Sequence, residues 1–352
     1  MMNGKSLGFN PVNPVILSLL CLVFACKPAT QKPAQREWFA MGTVARITLH
    51  QEDAPRIGEA FRIAREAVAS VEACLSLFDP ASPLAQINAL AGEGWDVAIP
   101  LPHAVALEFA LRVAAQSGGA FDPTVGPLMR LWGFRGGSIE TAPDPETVAR
   151  VRETQTGFRH VRVLPVFFED LDEVRLERPG MSLDLGAVAK GFAADLALDE
   201  LWRAGFAHVQ INLGGDLRVM GSPSATRAEW RVGVRDPFTP GAYVETLSLW
   251  HGEAVATSGD YERFVELDGV RYAHILDGRT GWPVTNVVSC TVVAPTAMEA
   301  DAVSTALFIL GPAEGMVFLE THYPSADALW ITAPPGSQRV ASPGMSQRLG
   351  AK

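Results

Sequence analysis

The chain has 352 residues and a formal net charge of −10, from 29 Lys+Arg against 39 Asp+Glu. It shows no basic stripe of the kind that displaces counterions from a polyanion, so composition argues against nucleic acid as a partner. With 48% hydrophobic and 19% charged residues it is a chain that buries a core rather than one that stays disordered.

At the N-terminus, Val15 to Ala25 (VILSLLCLVFA) is free of charge but too short for a membrane-spanning helix, which needs about 20 residues. Its place and length suit the apolar region of a secretory signal, with Lys5 the only charge ahead of it. The run ends Val23-Phe24-Ala25-Cys26, which resembles a bacterial lipobox and makes Cys26 the expected lipidation site. A plainly cleaved signal and an uncleaved anchor are the alternatives. The expected organisation is a signal peptide over 1–25, a lipidated Cys and flexible tether over 26–37, one folded domain over 38–334, and a flexible Pro/Gly/Ser-rich tail over 335–352. Of the remaining cysteines, Cys74 and Cys290 are either one disulfide or two isolated buried thiols.

Trp38 to His50 reads as a strand, and Arg56 to Leu77 carries apolar residues at helical spacing. Further helices are predicted over His103 to Gln116, stopping at Gly118-Gly119, and near Pro145 to Glu153. From His160 onward short β-type runs dominate, interrupted by helices at Gly186 to Arg203, Met298 to Leu310 and Pro312 to His322. This order predicts an α+β fold with a largely antiparallel mixed sheet and flanking helices.

No GxxxxGK(S/T), strand-linked GxGxxG, HExxH or GxSxG is present, which removes the P-loop, dinucleotide-fold, zincin and α/β-hydrolase sites. What chemistry remains is spread over short segments. Ser117 to Gly126 (SGGAFDPTVG) is a glycine-rich corner, read either as a turn between helices or as a backbone surface open to a planar ligand. Asn212-Leu-Gly-Gly-Asp216 suits a hairpin. Asp184 to Gly191 (DLGAVAKG) opens a helix near Gly186, where free N–H groups and Lys190 suit a phosphate, or where Asp184 is simply the N-cap. Asp301, Ser304 and Thr305 share one helix face and offer hard oxygen ligands, against the plainer alternative of Thr305 bonding back to a helix carbonyl. His274, with Asp277 at the strand exit, is a candidate general base.

Taken in order, Met41-Gly-Thr43, Ser76 to Ser82 with Asn88, Gly119 to Thr124 with Leu131 to Phe134, Asp184 to Gly191, Asn212 to Gly215, Thr257 to Tyr261, His274 to Asp277 with Thr280-Gly281, and Asp301 to Thr305 closely resemble the ApbE family of FAD:protein FMN transferases. The resemblance runs from about Trp38 to Trp330. It implies an α+β fold with FAD in a cleft, Mg²⁺ on the diphosphate, and an extracytoplasmic location, often as a lipoprotein. Carried over residue by residue, Met41, Phe78, Ala120, Phe121, Asp122, Asp184, Lys190 and Ile275 line the FAD site. The metal falls to the carbonyl of Ala187 and the side chains of Asp301, Thr305 and Ser304. Phe78 stands where the family usually has Tyr, and Gly278 where it mostly has Pro.

The implied reaction moves FMN from FAD to a Thr or Ser hydroxyl of an acceptor protein through a phosphoester, with AMP released, His274 as base and Asp277 orienting it. Implied acceptors are subunits of membrane redox pumps or extracytoplasmic flavoproteins that carry a short flavinylation motif. Two alternatives use the same residues: a Mg²⁺-dependent FAD pyrophosphatase, and a non-catalytic FAD-binding lipoprotein. The implied place is the periplasmic face of the cell membrane, held there by the lipid on Cys26.

Overall fold

The computed structural model describes residues 32–350, apart from 138, 167–168, 262 and 268–269. The segment expected to be a signal peptide, 1–25, and Cys26 lie outside the described residues.

An eight-stranded antiparallel sheet organises the domain. Its order is Ala34–Ala40, Thr43–Leu49, Val209–Leu213, Asp216–Met220, Ala254–Gly259, Val287–Ala294, Asp327–Thr332, Arg339–Ala341. One face is covered by the helices Ile57–Leu75, Ala189–Arg203 and Ala297–His322. In the first of these, Ala60, Ala64, Ala67, Val68, Val71 and Leu75 recur at the spacing that keeps one stripe against the sheet. The hairpin Trp230–Arg235/Tyr243–Leu249 and the helix Pro343–Gly350 cover part of the opposite face, enclosing Leu217, Val219, Val255, Val293 and Leu329. A three-stranded sheet (Val97–Pro100, Leu171–Leu176, Val161–Pro165) and the helix Leu101–Gln116 complete the main core. A third cluster, Leu128, Met129, Trp132, Val148, Val151 and Leu276, sits between the helices Gly126–Leu131 and Pro145–Gln155 and the turn after His274. The α+β class with a largely antiparallel sheet is what the sequence predicts.

Ala297–His322 alone among the described residues is long and apolar enough to cross a membrane. Consecutive residues Ala300 to Ser304 are all buried, so it is the central core helix, enclosed on every side over this stretch. It joins the two helices expected at Met298 and Pro312, and Gly311 (φ 69°, ψ 177°) breaks the helical path at their boundary.

Several expectations need correction. Trp38 to His50 is not one strand but the end of one, a two-residue turn, and a second. Met41 (φ 50°) and Gly42 (φ 73°) both sit at positive φ, as a primed hairpin turn requires. The first strand starts at Ala34, so residues 34–37 belong to the sheet rather than to the tether, held by full pairing with Thr43–Leu49. Of the expected tail, the described residues 335–350 are not free: Arg339–Ala341 adds a strand and Pro343–Gly350 a helix with Met345 fully buried. The Ser342 hydroxyl accepts from Met345 N–H at 3.2 Å, and Arg348 joins Glu253 and Asp327 at 2.7 and 2.6 Å. Ser342, which reads as disorder, is here the cap of that helix, and Gly344 lets the helix pass close to Asp327. Cys74 and Cys290 are free and buried. Burial pushes the Cys74 thiol up to about 11 and holds the Cys290 thiol well above its ordinary value, so both are packing residues.

Candidate active site

Four chain turns converge beside the N-terminal ends of two core helices. Gly191 explains how the helices come so close: a Cβ there would lie 2.2 Å from the Ala297 carbonyl oxygen. The contact brings Asp301, one turn into its helix, against the start of Ala189–Arg203. The residue is 4% exposed, and its carboxylate accepts the Gly191 N–H at 3.1 Å. Lys190 Nζ lies 3.3 Å from both Asp301 oxygens, 2.8 Å from Oδ2 of the buried Asp216, and 3.1 Å from the Gly186 carbonyl. Asp216 arrives on the Asn212–Asp216 hairpin, whose glycines at φ 65° and 114° form the expected two-residue turn.

The helix opens at Ala189, three residues later than predicted, because Val188 and Ala189 donate to the Leu185 carbonyl and close a tight turn first. Asp184 is therefore not its N-cap. It accepts the Gly186 N–H at 2.9 Å and pairs with Arg135 at 2.8 Å, which fixes the loop carrying Ala187. Asn88 clamps the preceding segment by exchanging two hydrogen bonds with Leu183 at 3.0 and 2.7 Å.

Beside Asp301, the hydroxyls of Ser304 and Thr305 donate to the Asp301 carbonyl at 2.9 and 3.3 Å, the back-bonding that the plainer alternative anticipates. Each also meets the Ser258 hydroxyl, at 2.8 and 2.9 Å. A hydroxyl that donates its proton keeps lone pairs, so the Asp301 carboxylate, the two hydroxyls and the Gly186 carbonyl, which meets the same Lys190 ammonium at 3.1 Å, form an all-oxygen donor set. No cluster of three His, Cys, Asp or Glu suited to a metal occurs among the described residues. The set fits a hard cation such as Mg²⁺ rather than zinc.

His274 stands on the segment before the Asp277 turn. Its N–H and its Nδ1 both lie 3.1 Å from the Arg263 carbonyl. A carbonyl only accepts, so Nδ1 carries the proton and Nε2 keeps its lone pair. Burial lowers the imidazole to about 4 against the opposing pull of that carbonyl, with Arg263, Arg135 and Lys190 adding positive charge nearby. Asp277 does not orient His274, contrary to expectation. Its carboxylate is taken by Arg279 at 2.8 Å, because the turn folds that guanidinium back onto it. The Arg263 main chain does the orienting. Arg263 also reaches the first hairpin: a Cβ on Gly42 would lie 3.8 Å from its Nη2. Met41 is fixed there by its N–H donating to Glu72 at 2.9 Å.

The remaining predicted contacts are uneven. Phe78 is 78% exposed, its turn held by the Ser76 hydroxyl, so its ring is free to stack. Ala120 and Phe121 are buried in the core, and the Asp122 carboxylate is committed to Thr124 and to the Phe158 N–H. Burial raises the Asp122 carboxyl. This corner therefore offers a ligand main-chain groups rather than the side chains first considered. Ile275 is buried, its carbonyl accepting from Val284. Gly278 donates its N–H to the Ala120 carbonyl at 2.9 Å, and a Cβ there would lie 2.5 Å from the Gly119 oxygen. Arg135, Asp216, Ser258 and Arg263 were not assigned roles from sequence; their only signal was adjacency to motifs already singled out.

The sequence model of the ApbE family matches residues 41–330. A FAD:protein FMN transferase of Treponema pallidum (strain Nichols) is 35% identical over 346 residues, 95% of this chain and 94% of that protein. One from Salmonella typhimurium is 32% identical, covering 84% and 86%. Among solved structures, the ApbE protein of Thermotoga maritima superposes with a TM-score of 0.78 at 31% identity, over 90% of this chain and 99% of that one. The flavin transferase ApbE from Vibrio cholerae does so with 0.78 at 27%, with the same coverage.

Proposed function

The chain belongs to the ApbE family, and from that premise we propose that it is a FAD:protein FMN transferase, moving FMN from FAD to a hydroxyl of an acceptor protein. The observation that carries this is His274, held in the tautomer that leaves Nε2 as a proton acceptor and kept neutral by burial beside the Lys190–Asp301 cluster. A Thr or Ser hydroxyl is a poor nucleophile until a base removes its proton. In this scheme Nε2 takes that proton as the hydroxyl oxygen attacks the FMN phosphorus. The bond from that phosphorus to the bridging oxygen breaks, and AMP leaves with the electron pair.

Lys190 faces the diphosphate and spreads its charge. Asp301, Thr305 and Ser304, with the Ala187 carbonyl, would hold Mg²⁺, which supplies Lewis-acid stabilisation of the developing charge. Phe78, on its exposed turn, offers a face to the flavin ring. Cys26 carries the lipid, and the enzyme works on the periplasmic face of the membrane on flavin-carrying subunits of redox pumps or on soluble extracytoplasmic flavoproteins. The uncharged run before Cys26 and the small Ala25 support that placement. The test is incubation of the purified domain with FAD, Mg²⁺ and a candidate acceptor. Flavin fluorescence on the acceptor with AMP in solution supports transfer, whereas FMN and AMP without label mean hydrolysis. Tight FAD binding without either product means a carrier.

A further inference from the structure

A cavity of about 260 Å³ opens where the Gly118–Gly119 turn, the end of the helix Pro145–Gln155 and the Gly278–Arg279 turn meet. Asp122, expected at the FAD site, stands on its wall, whereas His274, Lys190, Asp216, Asp301 and Arg135 do not line it. Its walls carry four guanidiniums, Arg152, Arg159, Arg178 and Arg279, against the carboxylates Glu153 and Asp122. In a protein of net charge −10 that is a local reversal of sign.

The balance of charge within the cavity is uneven. Arg279 is matched by Asp277 and Glu314, and Arg152 by Glu153 at 2.9 Å. Among the described residues Arg178 donates only to the main-chain carbonyls of Glu153 and Thr156, at 2.9 and 3.5 Å. The Arg159 guanidinium lies over the Phe158 ring at 4.6 Å; Asp122 feels its charge, but no salt bridge joins Arg159 to a carboxylate among the described residues. Asp122 turns its oxygens to Thr124 and to the Phe158 N–H. Guanidinium stays charged at any physiological pH, so the cations repel one another until an anion enters. Planar N–H forks beside an aromatic ring suit a phosphate that carries a flat substituent.

We propose that this cavity is a binding site for a phosphomonoester dianion, held by Arg159 and Arg178, with room beyond the phosphate for a nucleoside. It shares a wall with the catalytic turn: Gly278, four residues after His274, lines it and donates to Ala120. The ligand chemistry has two sources, a mononucleotide such as the AMP that the proposed reaction releases, and free phosphate. The proposal stands without the transferase reading, because the charge pattern is independent of His274 and Lys190.

The test is calorimetric titration of the purified protein, in chelator and low salt, with AMP and separately with inorganic phosphate, each with and without FAD. The expected result is saturable binding that persists when FAD is present, weakens with added salt, and falls about tenfold or more in both Arg159→Gln and Arg178→Gln. Arg178→Lys should recover part of it, since charge returns without the fork. AMP bound much more tightly than phosphate identifies a mononucleotide site; equal affinity identifies a phosphate site. Arg159, which makes no hydrogen bond to the fold, guards against a folding defect in the Arg178 variants. The proposal is overturned if neither anion binds saturably, or if binding is unchanged in Arg159→Gln and Arg178→Gln. Binding that vanishes with FAD also overturns it, as that places the anion in the flavin site. A protein that fails to bind FAD refutes the transferase reading alone, and the arginine variants still decide this one.

Discussion

Replacing Lys190 with Met keeps the length of the side chain and removes its ammonium. The two carboxylates it joins are each 6% exposed at the side chain, so neither regains much water when the ammonium goes. At 2.8 and 3.3 Å, and with an effective dielectric of about 20, the gross attractions are roughly 5–6 kcal/mol each. Most of that is offset by the cost of burying the charges, and breaking a buried pair from one side typically costs about 3–5 kcal/mol. For a domain of this size such a loss lowers the melting temperature by on the order of 5–8 °C. Differential scanning calorimetry of the metal-free protein measures it. Mg²⁺ should then raise the melting temperature of Lys190→Met more than that of the wild type, since a cation replaces the missing charge between the carboxylates. A variant that melts within about 1 °C of the wild type, and gains nothing from Mg²⁺, would refute the view that these carboxylates depend on Lys190.

Other perturbations probe the same architecture. His274→Ala should leave FAD affinity within about twofold and slow transfer by a factor of about 10² or more. In the wild type, kcat/KM should hold steady from neutral pH down to about 5 and fall as the imidazole protonates near 4, because a lowered pKa keeps the base form present at every pH above it; an acid limb between 6 and 7 would contradict the buried setting. Gly278→Pro brings the residue that the family resemblance leads one to expect at this turn, yet here it removes the N–H that serves Ala120 and places a Cβ 2.5 Å from the Gly119 oxygen. A loss of about 2–4 kcal/mol in urea unfolding is expected, where proline in a permissive turn would stabilise by about 0.4–1 kcal/mol. Asp195 accepts the Ala297 and Met298 N–H groups at the start of the central helix and pairs with Arg218 at 3.0 Å. Asp195→Asn turns one acceptor into a donor and should cost about 1–3 kcal/mol. Burial pushes the Asp195 carboxyl up to about 6, so the folded state holds its proton more tightly than the unfolded chain. The wild type should therefore lose stability from this group as pH rises from about 4 to 6, and the variant should lack that component.

The elements readable in the sequence were those whose pattern is local. Apolar spacing marks Ile57–Leu75, and Gly118-Gly119 marks the end of the preceding helix. Paired glycines mark the Asn212–Asp216 hairpin. Short elements were missed: Pro83–Ala89, capped by Ser82, and Gly126–Leu131 are too brief to show a period. The terminal strand and helix were missed because a cap serine and a loop serine look alike until Ser342 finds its partners. In the site, Asp301, Ser304, Thr305 and Lys190 share motifs and do converge in space. The orienting group for His274 was illegible because it is a main-chain carbonyl, which any residue at position 263 would supply. Asp216 and Ser258 reach the cluster through strand pairing at long sequence separation, which motif spacing does not encode.

The central claim is tested most directly by single-turnover incubation of the purified domain with FAD, Mg²⁺ and an acceptor protein, following acceptor-bound flavin and AMP together. Transfer predicts that both rise with one rate constant, in equal amounts, and that His274→Ala slows both alike. AMP accompanied by free FMN, with the acceptor present and unlabelled, would contradict it.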